Sequence, residues 1–330
     1  MSILHHWMKK PRLALAALAL PVALLAGAVP AQAQAWPAKP VRIIVPFGAG
    51  TTDVLARLFG KSISEATGQP FIIENKTGAG GSIGSLEVAK SAPDGHTLLL
   101  ATSSTHSVAP NFGGLPYDTL KDFTPIAHVG GSELLILMAP NMGAGTLPEV
   151  LKLAREKPGS ISYASNGAGT IGHLTLELLS AQAGITMTHV PYKGSGLSIP
   201  DVSSGRVHMT TDVPATGASH ITAGRVKGLA VTGPRRAATL PDVPTVAESI
   251  PGFTAMTWWG IYGPKDMSPE LTKTIHAAFF KAMQSAELVE RYKALGVEPG
   301  AGSPQDFATM AREDSARWGK VIKDRNIKLE

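Results

Sequence analysis

An α/β fold is predicted by three features of the chain. Short β-branched and apolar runs recur along its length. Helical patterns of roughly 10–15 residues fall between them. Turns rich in glycine, serine and threonine join strand ends to helix starts. The segments Val41–Val45, Phe71–Glu74, Thr97–Ala101, Leu134–Met138, Ser162–Ala164, Met187–Val190, Val207–Thr211 and Leu229–Thr232 read as strands. Asp53–Thr67 reads as a helix, with Val54, Leu55, Leu58, Phe59 and Ile63 on one face and Gly68 as its stop. Leu147–Lys157, Thr170–Ala183, Pro269–Gln284 and Gln305–Lys323 carry the same periodicity. Strands alternating with helices predict βαβ crossovers and parallel sheets.

The first 35 residues read as an export leader. Lys9, Lys10 and Arg12 precede an apolar run from Leu13 to Val29, and the small-residue pattern Ala31-Gln32-Ala33-Gln34-Ala35 follows, with cleavage expected after Ala33 or Ala35. The competing reading is an uncleaved anchor, for which the apolar run is short. The leader holds three of the 30 basic groups and no acid, so the remainder is close to neutral and gives no footprint for nucleic acid. No cysteine is present, which excludes disulfides, thiolate metal sites and a lipid-modified cysteine.

Beyond the leader, the chain is long enough for two domains. The stretch from Pro269 is helical with no strand of its own, so it is expected to pack on an earlier sheet. The chain is expected to leave a first domain near Glu133–Ala139 and to return near Thr257–Gly263. This gives residues 36–135 with 256–330 as one lobe and 136–255 as the other, joined by a two-strand hinge.

Two turns carry most of the functional signal. Phe47-Gly48-Ala49-Gly50-Thr51-Thr52 precedes Asp53, and Ser165-Asn166-Gly167-Ala168-Gly169-Thr170 leads into Ile171 and His173. Ligands of open α/β sheets sit at strand carboxyl ends, and free N–H groups at helix starts attract anions. Each turn is therefore either a tight connection or half of an anion cradle. Neither has the lysine of a phosphate loop or a dinucleotide fingerprint, so no cofactor is expected. Ser103, Ser104 and Thr105 offer hydroxyls at the same sheet edge. The cluster Gly78–Gly84 reads as a structural turn, and no histidine spacing suggests a metal.

Longer motifs are similar to one family. Trp36-Pro37-Ala38-Lys39-Pro40-Val41-Arg42-Ile43-Ile44-Val45-Pro46-Phe47, Pro93-Asp94-Gly95-His96-Thr97-Leu98, His189-Val190-Pro191-Tyr192-Lys193-Gly194, Leu240-Pro241-Asp242-Val243-Pro244-Thr245 and Leu295-Gly296-Val297-Glu298-Pro299 occur in order along the chain. They resemble the Bug-family receptors, the extracytoplasmic binding proteins of tripartite tricarboxylate transporters. The resemblance implies a two-lobed type II periplasmic-binding-protein (Venus flytrap) fold, a monomer that encloses a small organic carboxylate and partners the membrane subunits of such a transporter. It also implies a role for Asp212 at the cleft, accepting from a ligand donor, and places His173 at the start of the second-lobe helix, touching ligand or supporting the turn. One departure stands out. Gly50 runs directly into Thr51-Thr52-Asp53, one residue short of the common family pattern.

Binding without catalysis is the reading these features favour. Aliphatic dicarboxylates come first as ligands and aromatic carboxylates second, the latter because Phe47, Trp258 and Trp259 are either flat ligand walls or core residues. A sensor that presents its ligand to a kinase is the alternative output. A serine hydrolase is the alternative from another class, built from Ser103 or Ser165 with His106 or His173 and Asp53 or Asp212.

Overall fold

A computed structural model describes residues 36–192, 195–324 and 326–329. The expected leader lies outside the described residues. The described chain opens with β1 (Val41–Val45), α1 (Thr51–Thr67), β2 (Phe71–Asn75), α2 (Ser82–Ala89) and β3 (Thr97–Thr102). A π-helical turn at Ser104–Val108 follows, and then β4 (Phe123–Glu133). Next come β5 (Leu135–Met138), α3 (Leu147–Glu156), β6 (Ser162–Ser165), α4 (Ile171–Ala183), β7 (Thr188–Pro191), α5 (Ser195–Ser204), β8 (Met209–Asp212), α6 (Pro214–Thr222) and β9 (Lys227–Val231). The chain then returns through β10 (Met256–Pro264), α7 (Pro269–Met283), α8 (Ala286–Leu295), β11 (Glu298–Pro299) and α9 (Pro304–Asp324).

Two sheets result, ordered β11-β4-β10-β3-β1-β2 and β7-β6-β8-β5-β9. Both are mixed, where the alternation of elements predicted parallel sheets. β1 is parallel to β2 and β3, but β10 enters between β3 and β4 antiparallel to both. In the second sheet β6 is parallel to β7 and β8, while β5 opposes β8 and β9. The antiparallel strands are the ones that carry the chain out of one lobe and back again.

The central strands are buried on both faces, and their period of two sorts neighbouring residues into different cores. Ile43 and Val45 pack with Leu55, Phe59 and Ile63 of α1 and with Phe279 of α7. Ile44 points the other way, towards Trp258, Tyr262 and Phe307. In the second sheet Leu135 and Leu137 share a core with Ile199 and Val202 of α5, while Ile136 and Met138 pack with Leu147, Val150 and Leu174. Each such side chain contributes about 1.5–3 kcal/mol on burial. Gly68 ends α1 as expected, at φ 71° with its N–H on Ser64 O. Val54, placed on the apolar face by the sequence pattern, is instead exposed.

β4 is an unexpected strand. Pro125, Gly130 and Gly131 interrupt its alternation, and its pairing with β10 shifts register twice. α5 carries an internal Pro200, which obscures its helical signal, and α8 was also not foreseen. β11 gives the C-terminal stretch a strand, though only a two-residue one.

Thr232 links the two crossings between the sheets. Its N–H donates to Leu134 O at 2.8 Å and its Oγ1 accepts from Leu134 N–H at 2.8 Å. On its other side, Thr232 O accepts from Ala255 N–H at 3.0 Å and Oγ1 donates to Ala255 O at 2.6 Å. A further bridge is α9. Phe307 and Ala311 pack against the first sheet, whereas Trp318 and Ile322 enter the core of the second.

Candidate functional site

A cavity of about 90 Å³ lies where the carboxyl edges of the two sheets meet. Its floor comes from strand ends: Thr102 of β3, Thr211 and Asp212 of β8, Leu134 at the first crossing, and Thr257 and Trp259 of β10. Its walls come from helix starts.

Three helices begin at this cavity. Gly50 precedes α1, whose first residues, Thr51 and Thr52, line the wall with Phe47, Gly48 and Ala49. Ile171 and Gly172 open α4 behind Thr170, and Val213 precedes α6. The first N–H groups of a helix have no intrahelical acceptor, and each helix dipole adds partial positive charge there. Among the described residues no lysine or arginine lines the cavity, and Asp212 is its one ionisable residue. Asp212 Oδ1 accepts from Val213 N–H at 2.8 Å, just before the start of α6. The arrangement suits an anion held by dipoles and hydroxyls.

Side-chain bonds orient the walls. Trp259 Nε1–H donates to Thr52 Oγ1 at 2.9 Å, which leaves the Thr52 hydroxyl proton free to point elsewhere. Thr51 Oγ1 and Thr216 Oγ1 meet at 3.3 Å between α1 and α6, one on each lobe. Ser104 Oγ accepts from Ile171 N–H at 3.0 Å and takes up one donor of α4. Thr102 Oγ1 and Asn166 Oδ1 are buried and have no hydrogen-bond partner among the described residues. Buried polar atoms are nearly always paired, so both are suited to a ligand.

The expected site residues fall into two groups. Phe47, Gly48, Ala49, Gly50, Thr51, Thr52, Ser104, Asn166, Thr170 and Asp212 come together on the cavity wall. Ser103, Thr105, Ser165, Gly167, Ala168, Gly169 and His173 are not on it. Ser103 Oγ pairs with Thr257 Oγ1 at 3.1 Å, and Thr105 Oγ1 donates to Thr102 O at 3.0 Å. Gly167 O receives Thr170 Oγ1–H at 2.8 Å. Thr170 thus precedes α4 without capping it through its side chain. His173 Nδ1 accepts from Gly169 N–H at 3.1 Å, and burial together with nearby His189 pushes its pKa down to about 3. His106 is neutral for the same first reason: burial lowers it to about 3.

Residues not foreseen are Thr102, Leu134, Ile171, Gly172, Thr211, Val213 and Thr257. Most lie one or two positions from a strand end or helix start, and the signal that finds them is that position. Trp259 reaches the cavity, but Trp258 turns away to donate to Asp314 at 2.9 Å. The third glycine cluster is packing. A Cβ on Gly81 would lie 2.6 Å from Thr105 Cγ2 and 3.1 Å from Phe47 Cζ. The serine–histidine pairs considered for hydrolysis do not form among the described residues. Ser165 meets His189 instead, and Asp53 is held in a two-pronged ion pair with Arg57 at 2.9 Å.

Comparison with known proteins agrees with this geometry. The model of the tripartite tricarboxylate transporter family receptor (TctC) matches residues 55–327. Protein BugT of Bordetella pertussis is 32% identical over 323 residues, covering 96% of this chain and 98% of its own. An R. palustris protein solved with adipate superposes with a TM-score of 0.85 at 33% identity, covering 89% of this chain and 99% of that one. MatC from Rhodopseudomonas palustris, solved with bound malate, gives 0.82 at 29% identity, with 87% and 100% covered. By the extent of these matches, and by its two mixed sheets around a shared cavity, the chain belongs to the TctC family of tripartite tricarboxylate transporter receptors.

Proposed function

We propose that this protein is an exported periplasmic receptor that encloses a small aliphatic dicarboxylate and delivers it to the membrane subunits of a tripartite transporter, without transforming it. The observation that carries this reading is the convergence of three helix starts on a cavity with no cationic side chain among the described residues. Family membership supports the transport output over sensing, and the adipate and malate of the two relatives support the ligand class. One carboxylate meets the start of α1 and the other the start of α4, with Asp212 accepting from a hydroxyl or other donor between them. The bodies that close are residues 36–135 with 256–330, and 136–255. The small cavity and the Thr51–Thr216 contact fit the closed arrangement.

Aliphatic acids are placed before aromatic ones because the named ligands of the two relatives are aliphatic diacids and Trp258 is absent from the wall, although Phe47 and Trp259 line it. Calorimetry of the mature chain with malate, adipate, benzoate, glucose and putrescine tests the proposal. The expected result is binding of malate or adipate, with weaker or no binding of the others. Saturation at about 100 times Kd raises stability by about 2.7 kcal/mol. Binding of glucose or putrescine alone overturns it.

A further inference from the structure

The second turn is held from behind by two histidines that do not line the cavity. His173 and His189 stack with ring centroids 4.0 Å apart and planes 10° from parallel, and Tyr163 stacks on His189 at 5.0 Å. His173 Nδ1 takes the Gly169 N–H. His189 Nε2 lies 2.6 Å from Ser165 Oγ. The same oxygen accepts from Gly167 N–H at 3.2 Å and lies 3.0 Å from Gly167 O. Ser165 itself is 1% exposed. Glu177 of α4 and Lys328 of the C-terminal segment share the outer crevice with both rings, and Tyr163 donates its hydroxyl to Glu177.

These bonds converge on a peptide that needs an outside restraint. Gly167 sits at φ 137°, a region glycine enters freely and leaves as freely. Asn166, the residue before it, is the one whose buried Oδ1 has no partner among the described residues at the cavity. We propose that His189 is a positioning residue for ligand capture, acting through Ser165 to fix the Asn166–Gly167 peptide against the cavity. Resting on the carboxylate reading above, the inference goes further by assigning a role to a side chain outside the binding wall.

The test combines two measurements on the mature chain carrying His189→Ala, His189→Gln, Ser165→Ala or the double change His189→Ala with Ser165→Ala. Amide hydrogen exchange of residues 165–170 is followed without ligand, and binding of malate and adipate is followed by calorimetry. In His189→Ala and Ser165→Ala the segment exchanges faster, and affinity for the tighter diacid falls about tenfold, the scale of one buried hydrogen bond. The double variant is no weaker than Ser165→Ala, because His189 acts only through that hydroxyl. His189→Gln, which can still bond to Ser165, stays within about threefold of the parent. Unchanged exchange in both alanine variants overturns the proposal, as do additive losses in the double variant. Ser165→Ala leaves the stacked rings in place, so it decides the matter if His189→Ala fails to fold. Should neither diacid bind the parent, the carboxylate reading fails while the exchange arm still decides the positioning role.

Discussion

The two binding turns have the same recipe and opposite support. In the first, Gly48 and Gly50 have open space where a Cβ would project, and one side-chain bond, from Asn75 Nδ2 to Phe47 O at 2.9 Å, reaches the loop from β2. In the second, Ser165, Gly167 and Gly169 are tied to two histidines, and Leu329 and Phe112 press on Gly169. Where α4 begins, Gly172 lies directly against Thr211 Oγ1. One side of the cavity is open to substitution and the other is a packed wall. The difference teaches where ligand preference can vary within this architecture. On the function proposed above, the first turn is the one that tolerates a change of sequence, while the second offers one end of a ligand a constant setting.

The largest test of that contrast exchanges glycine for alanine on each side. Gly172→Ala forces a Cβ into Thr211 and displaces the start of α4, with about 1–3 kcal/mol of overpacking strain. Binding then falls by one to two orders of magnitude. Gly48→Ala meets no protein atom and stays within about 0.5 kcal/mol of the parent in stability. Thermal unfolding without ligand reads the strain of both, and equal losses would erase the distinction between the turns.

Acid sharpens the same comparison. His173 is buried and held near a pKa of about 3, below its ordinary 6.5. The unfolded chain therefore binds this proton first as pH falls. The stabilisation from the neutral ring is fully present above about pH 6.5 and is lost progressively towards pH 3. By pH 5 the loss reaches about 2 kcal/mol. Thermal unfolding between pH 7 and 5 should show a flatter slope in His173→Gln than in the parent. An identical slope would mean that the second turn is not held by a neutral imidazole.

The smallest effect concerns the first turn. Trp259→Phe removes the indole bond to Thr52 while keeping the ring, at about 1 kcal/mol or roughly fivefold in affinity. A loss as large as that of Gly172→Ala would show the first turn to be as tightly determined as the second.

The glycine-rich turns were legible because local chemistry makes them: a strand end, residues without a Cβ, and a helix start, all within a few positions. β1 and β3 were equally legible as short apolar runs, while the assignment of Ile43 and Ile44 to two different cores emerges only from the packing. What was not legible depends on partners far along the chain. β4 is a strand because β10 pairs with it across irregular registers, and its own Pro125 and Gly130 argue against it. Thr257 and Trp259 reach the cavity only because β10 is inserted between β3 and β4. Val54 was misplaced because periodicity marks a face of α1 without fixing how far the sheet extends beneath it.

The C-terminal helix has a consequence for how the molecule melts. With Phe307 in one core and Trp318 in the other, a single rigid rod is shared by both halves. Neither half can lose its packing without pulling a large aromatic out of its neighbour, so heating should give one calorimetric transition for the whole described chain.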